Sequence, residues 1–350
     1  MPNFKTIHLF FFIITSVYSS VYSQTKILFD ATKAEMAGNA DWVIDADVFN
    51  LGTNSSGSMV TGRGDESNPQ RFPTPSQAGI TASTGEEFWT GSLSNWAIDL
   101  VKQGFQVETL PYNASITYAN SGNAQDLSNY KVFIVDEPNI LFSASERNAL
   151  VNFVFNGGGL FIISDHDVSD RNGDGDDSPH IWNDLFANNN IKTDPFGITF
   201  DYQNYSQTTT NIANISGDSC LHGVLGNVSQ MKYSNGTTMT LSPSDNATVR
   251  GLIYKTGSSN TGTTNVFFAR ARYGSGKVCA LGDSSPPDDG TGDSNDQLYN
   301  GYSAEANGSH RNLLVNAAVW LAADFPLSVK QANNMNSASF RLFPNLQKPG

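Results

Sequence analysis

Gly157-Gly158-Gly159-Leu160-Phe161-Ile162-Ile163-Ser164-Asp165-His166-Asp167 is the stretch on which the fold turns. Residues 159–163 form an unbroken apolar run, too short for a core helix and bounded by glycine on one side and acid on the other. That pattern predicts a strand buried on both faces. Just upstream, Leu150, Phe153 and Val154 recur at i, i+3, i+4 within residues 145–156, which predicts a helix stopped by Gly157. A helix, a glycine stop and a buried strand are one step of an alternating α/β chain.

The same strand type recurs outward in both directions, at residues 26–29, 105–110, 131–135 and 277–281. Helical patterns fill residues 94–104 and 310–322. Continuous apolar strands alternating with helices predict an α/β fold, an open parallel sheet flanked by helices. Residues 188–264 are rich in Asn, Thr and Ser with short alternating segments, and read as a β-rich insertion. Residues 50–90 form a long Gly/Ser/Pro-rich connection of the kind used for lids and binding loops. The α/β domain is expected over residues 24–325.

The chain has 350 residues, with 33 acids against 20 Lys and Arg and a net charge of −13. The acids are 25 Asp and only 8 Glu, and 12 of the Asp fall in two windows, 165–184 and 283–296. Asp prefers turns and cation-binding loops where Glu prefers helix faces, so the acidity belongs to loops. With 39% hydrophobic and 15% charged residues the chain can bury a core and is not disordered. No Lys/Arg cluster offers a basic surface for nucleic acid.

Residues 1–23 read as a signal peptide, with Lys5 before an apolar run at 7–17 and Val21-Tyr22-Ser23 as the cleavage site. A secreted protein follows as the expectation. No later segment approaches the ~20 apolar residues of a membrane span. Cys220 and Cys279 could pair in an oxidising compartment or stay as two buried thiols. The tail at 326–350 contains Phe340-Arg341-Leu342-Phe343-Pro344-Asn345, which resembles the opening of a type IX secretion sorting domain and implies the secretion machinery as a partner.

Four strand candidates end in acid: Asp30, Asp136 with Glu137, Asp165 and Asp283. In an open parallel sheet these ends share one edge, where the ligand crevice forms. Asp165 and Asp283 are the expected acid/base or metal-binding carboxylates, with Glu137 beside them. His166, between two Asp, suits proton transfer or metal ligation. His310 opens the last helix and is a candidate for the same edge. Asp170, Asn172, Asp174 and Asp176 alternate, with Gly175 in sixth place as in a calcium loop, although Ile181 stands where the bidentate Glu would be. Calcium is the expected ordering ion, and a second divalent cation with Asp30 among its ligands is a further expectation. Trp42 and Trp89, beside loops, are candidates for stacking on sugar rings, and Trp320 for the core. Ser284 lacks the Gly-x-Ser-x-Gly setting of a hydrolase nucleophile.

The chain resembles the class I glutamine amidotransferase-like superfamily, with its flavodoxin-like fold, in an uncharacterised secreted branch. The resemblance rests on Lys26-Ile27-Leu28-Phe29-Asp30, on Gly157 to Asp165, on Tyr273-Gly274-Ser275-Gly276-Lys277-Val278-Cys279-Ala280-Leu281-Gly282-Asp283, and on residues 312–321. It implies the fold but not the reaction. The amidotransferases carry a nucleophilic Cys after the strand matching 159–163, and here Ser164-Asp165-His166 takes that place.

Together these readings lead to a secreted, divalent-cation-dependent hydrolase of an extracellular polymer, foremost a polysaccharide cut by glycoside hydrolysis. The same acids around a metal would suit a phosphodiesterase or nuclease. A reading from another class is a non-catalytic, calcium-stabilised carbohydrate-binding surface protein.

Overall fold

The computed structural model describes residues 24–37, 40–45, 72–85, 88–291 and 299–324. Residues 1–23, expected as a signal peptide, residues 50–71 of the long connection and the tail motif lie outside them. Chain order begins with β1 (Lys26–Asp30), the short pair β2 (Met36–Ala37) and β3 (Ala40–Asp41), then α1 (Ser94–Lys102) and β4 (Gln106–Leu110). Next come β5 (Val132–Asp136), α2 (Ala144–Phe155), β6 (Gly159–Ile163) and α3 (Ser178–Asn188). The following stretch supplies β7 (Ile198–Phe200), β8 (Tyr205–Thr209), β9 (His222–Gly223) and β10 (Gly226–Asn227). It goes on through β11 (Met231–Gly236), β12 (Met239–Leu241) and β13 (Arg250–Tyr254). The described elements end with β14 (Val266–Tyr273), β15 (Gly276–Leu281) and α4 (His310–Ala322).

Nine described strands form the main sheet, in the order β4-β1-β5-β6-β15-β14-β12-β7 with β13 also on β14. The first five run parallel. From β14 onward the pairing is antiparallel. The sheet is thus mixed and mostly parallel, flanked by four helices, an α/β flavodoxin-like arrangement. Helices α1 and α4 pack together, and so do α2 and α3.

The apolar runs form strands because both of their faces are covered: every residue of β5, β6 and β15 is buried. Trp96 of α1 wedges edge-on between Phe29 and Phe161, with ring centroids 5.5 and 5.3 Å away. The glycines of the deciding stretch are packing residues. A Cβ on Gly159 would lie 2.8 Å from Leu321 Cβ, so the bare backbone is what lets α4 settle on β6. Helix α2 starts at a capping box in which the Ser143 hydroxyl accepts from the Glu146 amide while the Glu146 side chain accepts from the Ser143 amide.

Two elements escape the apolar-run reading. Helix α3 lies in what reads as acidic loop, started by the Asp177 side chain on the His180 amide and by Pro179 in its first turn. Strand β14 follows the expected insertion and joins β15 to it. Residues 198–254 are β-rich, but β7, β12 and β13 extend the main sheet rather than standing apart.

Candidate active site

The parallel strands deliver their last residues to one edge. There the loops after β1, β5, β6 and β15 place Asp30, Asp136, Glu137, Asp165 and Asp283, each at most 2% exposed. Asn139, fully buried, ties three of these loops together. Its amide donates to the carbonyls of Ala34, Met36 and Glu137, and its Oδ1 accepts from the Arg171 amide. Asn172 adds a bond of 2.6 Å from Nδ2 to the Asn139 carbonyl.

Glu137 follows β5 with φ of 44°, a left-handed conformation that a side chain with a Cβ seldom adopts. Ala34 and Val168, in the loops after β1 and β6, share this feature with φ of 52° and 59°. At Glu137 the turn brings the carboxylate under two donors. Trp42 Nε1 donates to Oε2 at 2.9 Å and Arg171 Nε donates to Oε1 at 2.9 Å. The same guanidinium reaches Asp165, with Nη2 2.7 Å from Oδ2.

Burial pushes the Asp165 carboxyl well above the usual range, and the charges of Glu137 and Asp283 push it further, against the pull of Arg171. Asp283 is raised to about 7 by burial, offset by the amides of Ser234 and Ser285 at 2.6 and 2.8 Å and reinforced by Glu137. Asp136 is held well up by burial and by Glu137, Asp283 and Asp288, and neither of its oxygens has a hydrogen-bond partner among the described residues. So Asp136, Asp165 and Asp283 all feel the charge of Glu137 across β5, β6 and β15, as expected for acids on one edge. His166 Nδ1 donates to the Asp167 carbonyl at 2.6 Å, which turns Nε2 toward Asp165 Oδ2 at 3.6 Å.

The other expected residues have other places. Asp30 and Glu35 are joined by a side-chain hydrogen bond, and burial together with the charge of Asp30 raises Glu35 well above the usual range. Burial raises Asp30 to about 6. His310 is a correction. It is 1% exposed, with Nδ1 donating to the Gly301 carbonyl and Nε2 accepting from the Lys232 amide. Burial lowers it to about 4, so it is a neutral packing histidine with no nitrogen left for proton transfer. Trp42 and Trp89 are corrections too: at 3% and 2% exposed, neither offers a ring face to a sugar. Trp320 is in the core. Cys220 and Cys279 are free, buried thiols in contact with each other.

The alternating oxygens of the 170–176 loop turn onto the loop itself. Asp170 accepts from the amides of Gly173, Asp174 and Gly175, Asn172 Oδ1 accepts from the Asp174 amide, and Asp174 accepts from the Asp176 amide. Asp176 pairs with His180 Nδ1 at 2.6 Å. Among the described residues, no group of three or more His, Cys, Asp or Glu is placed to hold a metal ion. Nor is any described helix long and apolar enough to cross a membrane.

Sequence reasoning passes over Arg171, Asn139 and the hydrogen-bonding role of Trp42. Only Arg171 leaves a signal, as the single cation inside the densest run of acids.

No family model matches the chain, and no curated protein matches it. Among solved structures it is similar to the N-terminal domain of mmIFT52, at 12% identity and a TM-score of 0.44, covering 85% of this chain and 97% of that one. A putative thua-like protein from Parabacteroides merdae is similar at 12% identity and a TM-score of 0.40, covering 88% and 93%. A cold-adapted beta-galactosidase from Rahnella sp. R3 is similar at 14% identity and a TM-score of 0.34, over 64% of this chain but only 26% of that enzyme. These are distant likenesses of chain path and carry nothing about chemistry.

Proposed function

We propose that the protein is a secreted hydrolase that cleaves glycosidic bonds of an extracellular polysaccharide by acid–base catalysis at this edge. The observation that carries the reading is the division among the clustered carboxyls. Burial and neighbouring acids hold the Asp165 carboxyl well above the usual range, whereas Asp283 accepts the amides of Ser234 and Ser285, which favour its charged form. Glycoside cleavage needs such a pair of unlike carboxyl groups. Asp165 donates its proton to the leaving oxygen as the bond from the anomeric carbon to that oxygen breaks. Asp283, at about 7, takes a proton from the attacking water, whose oxygen forms the new bond to the anomeric carbon. Asp283 then releases that proton to solvent water, while His166 Nε2, beside Asp165 Oδ2, takes up a proton from solvent and passes it to Asp165, which restores both groups.

The test is release of reducing sugar from a panel of polysaccharides by the purified full chain. Asp165→Asn is expected to lower kcat at least ~100-fold while leaving polymer binding in place, as for loss of a general acid. Equal release by Asp165→Asn, or none from any polymer, ends the hydrolytic reading. Polymer binding without cleavage would then favour the carbohydrate-binding alternative, and cleavage of nucleic acid by the native chain the phosphodiesterase.

A further inference from the structure

A groove of about 620 Å³ runs beside the carboxyl edge, between the segment that follows β4 and the first three turns of α2. One wall is Ser115, Thr117, Tyr118 and Asn120, and the other is Ser145, Asn148 and Asn152. Ser145, Asn148 and Asn152 stand at i, i+3, i+7, so a single face of α2 presents them all. Asn is a poor helix former because its side chain competes for the backbone. Two of them on one face of α2 are therefore not explained by the helix's own stability. Asn148 is partly accounted for, since its Oδ1 accepts from the Asn190 amide at 2.8 Å. Asn152 is half-buried, and its side chain makes no hydrogen bond with any described residue. The half-buried Tyr118 hydroxyl, the exposed Ser115 hydroxyl and the exposed Asn120 side-chain amide nitrogen likewise make no hydrogen bond with a described residue.

The groove offers hydroxyls and amides, which both donate and accept, together with one aromatic ring. Its single charged lining side chain, Glu146, is held by Lys33 Nζ at 2.8 Å. Its apolar lining residues, Ile116 and Ala149, are 2% and 8% exposed and provide no pocket for an apolar side chain. A ligand matching this surface is neutral and dense in hydroxyls. We infer that the groove binds an uncharged oligosaccharide stretch and holds the polymer whose bond is cut at the neighbouring edge. Lys33 joins the two places, because it lies in the loop after β1 between Asp30 and Glu35. The link to cleavage rests on the hydrolytic reading, but the binding itself does not.

The experiment titrates uncharged hexaoses of β-1,4-glucose, xylose and mannose into the full chain carrying Asp165→Asn, by calorimetry. A Gly/Ser/Asn hexapeptide and an acidic galacturonic hexamer serve as controls. One uncharged hexaose is expected to bind, and Asn152→Ala and Asn120→Ala are each expected to weaken it about three- to tenfold, the loss of one hydrogen bond. Asn152→Ala replaces a poor helix former by the best one, so a folding defect is not expected to confuse the result. Absence of hexaose binding, equal binding by both variants, or tighter binding of the peptide or the acidic hexamer would overturn the inference. Hexaose bound through the groove without cleavage of any polymer would end the hydrolytic reading and keep the groove. Undiminished cleavage by both groove variants without hexaose binding would do the reverse.

Discussion

Glu137 and Asp165 share one guanidinium: Arg171 Nε lies 2.9 Å from Glu137 Oε1 and its Nη2 lies 2.7 Å from Asp165 Oδ2. Two strands' worth of buried acid is thereby locked to the loop after β6. Removing the cation leaves carboxylate charge without compensation, which is the costly way to break a buried pair. Arg171→Met is expected to lower stability by about 2–3 kcal/mol at pH 7, a value reduced because Arg171 is partly exposed. Urea unfolding measures it, and a loss below about 0.5 kcal/mol would contradict the bridging role.

Trp42 is the other donor on Glu137 and is buried with it. Trp42→Phe keeps most of the ring volume but removes Nε1–H, so a buried carboxylate oxygen loses its partner. A loss of about 1–3 kcal/mol is expected. Thermal melting of Trp42→Phe beside native protein reads this directly, and an unchanged melting temperature would show the bond to be without weight.

Asp136 has no hydrogen-bond partner among the described residues on either oxygen and is held well above the usual carboxyl range by burial and three neighbouring acids. Asp136→Asn removes the charge that high pH would force on this position. The variant is expected to melt about 2–4 °C higher than native protein at pH 8, corresponding to ~1 kcal/mol, with little difference below about pH 4. A lower melting temperature at pH 8 would mean that the charge is compensated.

The pH dependence of stability follows from the same acids. Asp30 and Asp283 have ordinary values of 3.8 and rise to about 6 and about 7 in the fold, mainly through burial. Above about pH 4 the native state therefore binds more protons than the unfolded chain. Their contribution is complete below that pH and is lost as pH rises through 6 and 7. His310 works the other way, lowered from 6.5 to about 4 by burial. Its contribution is present above 6.5 and is lost as pH falls toward 4. The raised acids outnumber it, so the melting temperature is expected to fall from about pH 4 to pH 7 and to be several degrees lower at pH 8 than at pH 4. A curve rising steadily from pH 5 to 8 would refute the assignment.

Calcium is tested by chelation. The oxygens of Asp170 and Asp174 already accept backbone amides of their own loop. A chelator is therefore expected to change the melting temperature by less than about 2 °C. A larger fall would establish the alternating loop as a cation site.

The α/β class was legible because it depends on local patterns. Residues 159–163 are apolar without a break, and burial on both faces is the only way to satisfy such a run in water. The convergence of Asp165 and Asp283 was legible for the same reason, since a parallel sheet has one carboxyl edge. Helix α3 was hidden because an Asp-rich stretch reads as loop until its cap and its buried Ile181, Trp182, Leu185 and Phe186 are seen together.

By itself, the sequence determined an acidic α/β chain with carboxyls at the ends of its parallel strands. The tertiary structure decided which acids differ from one another. It gave Glu137 two donors, left Asp136 with none among the described residues and paired Asp30 with Glu35. It also removed His310 from the acid–base group by engaging both of its nitrogens. The physical reason is that a carboxyl's charge state depends on burial and on partners far away in sequence. Arg171 lies 34 residues from Glu137 and Trp42 lies 95, and no local pattern records such distances.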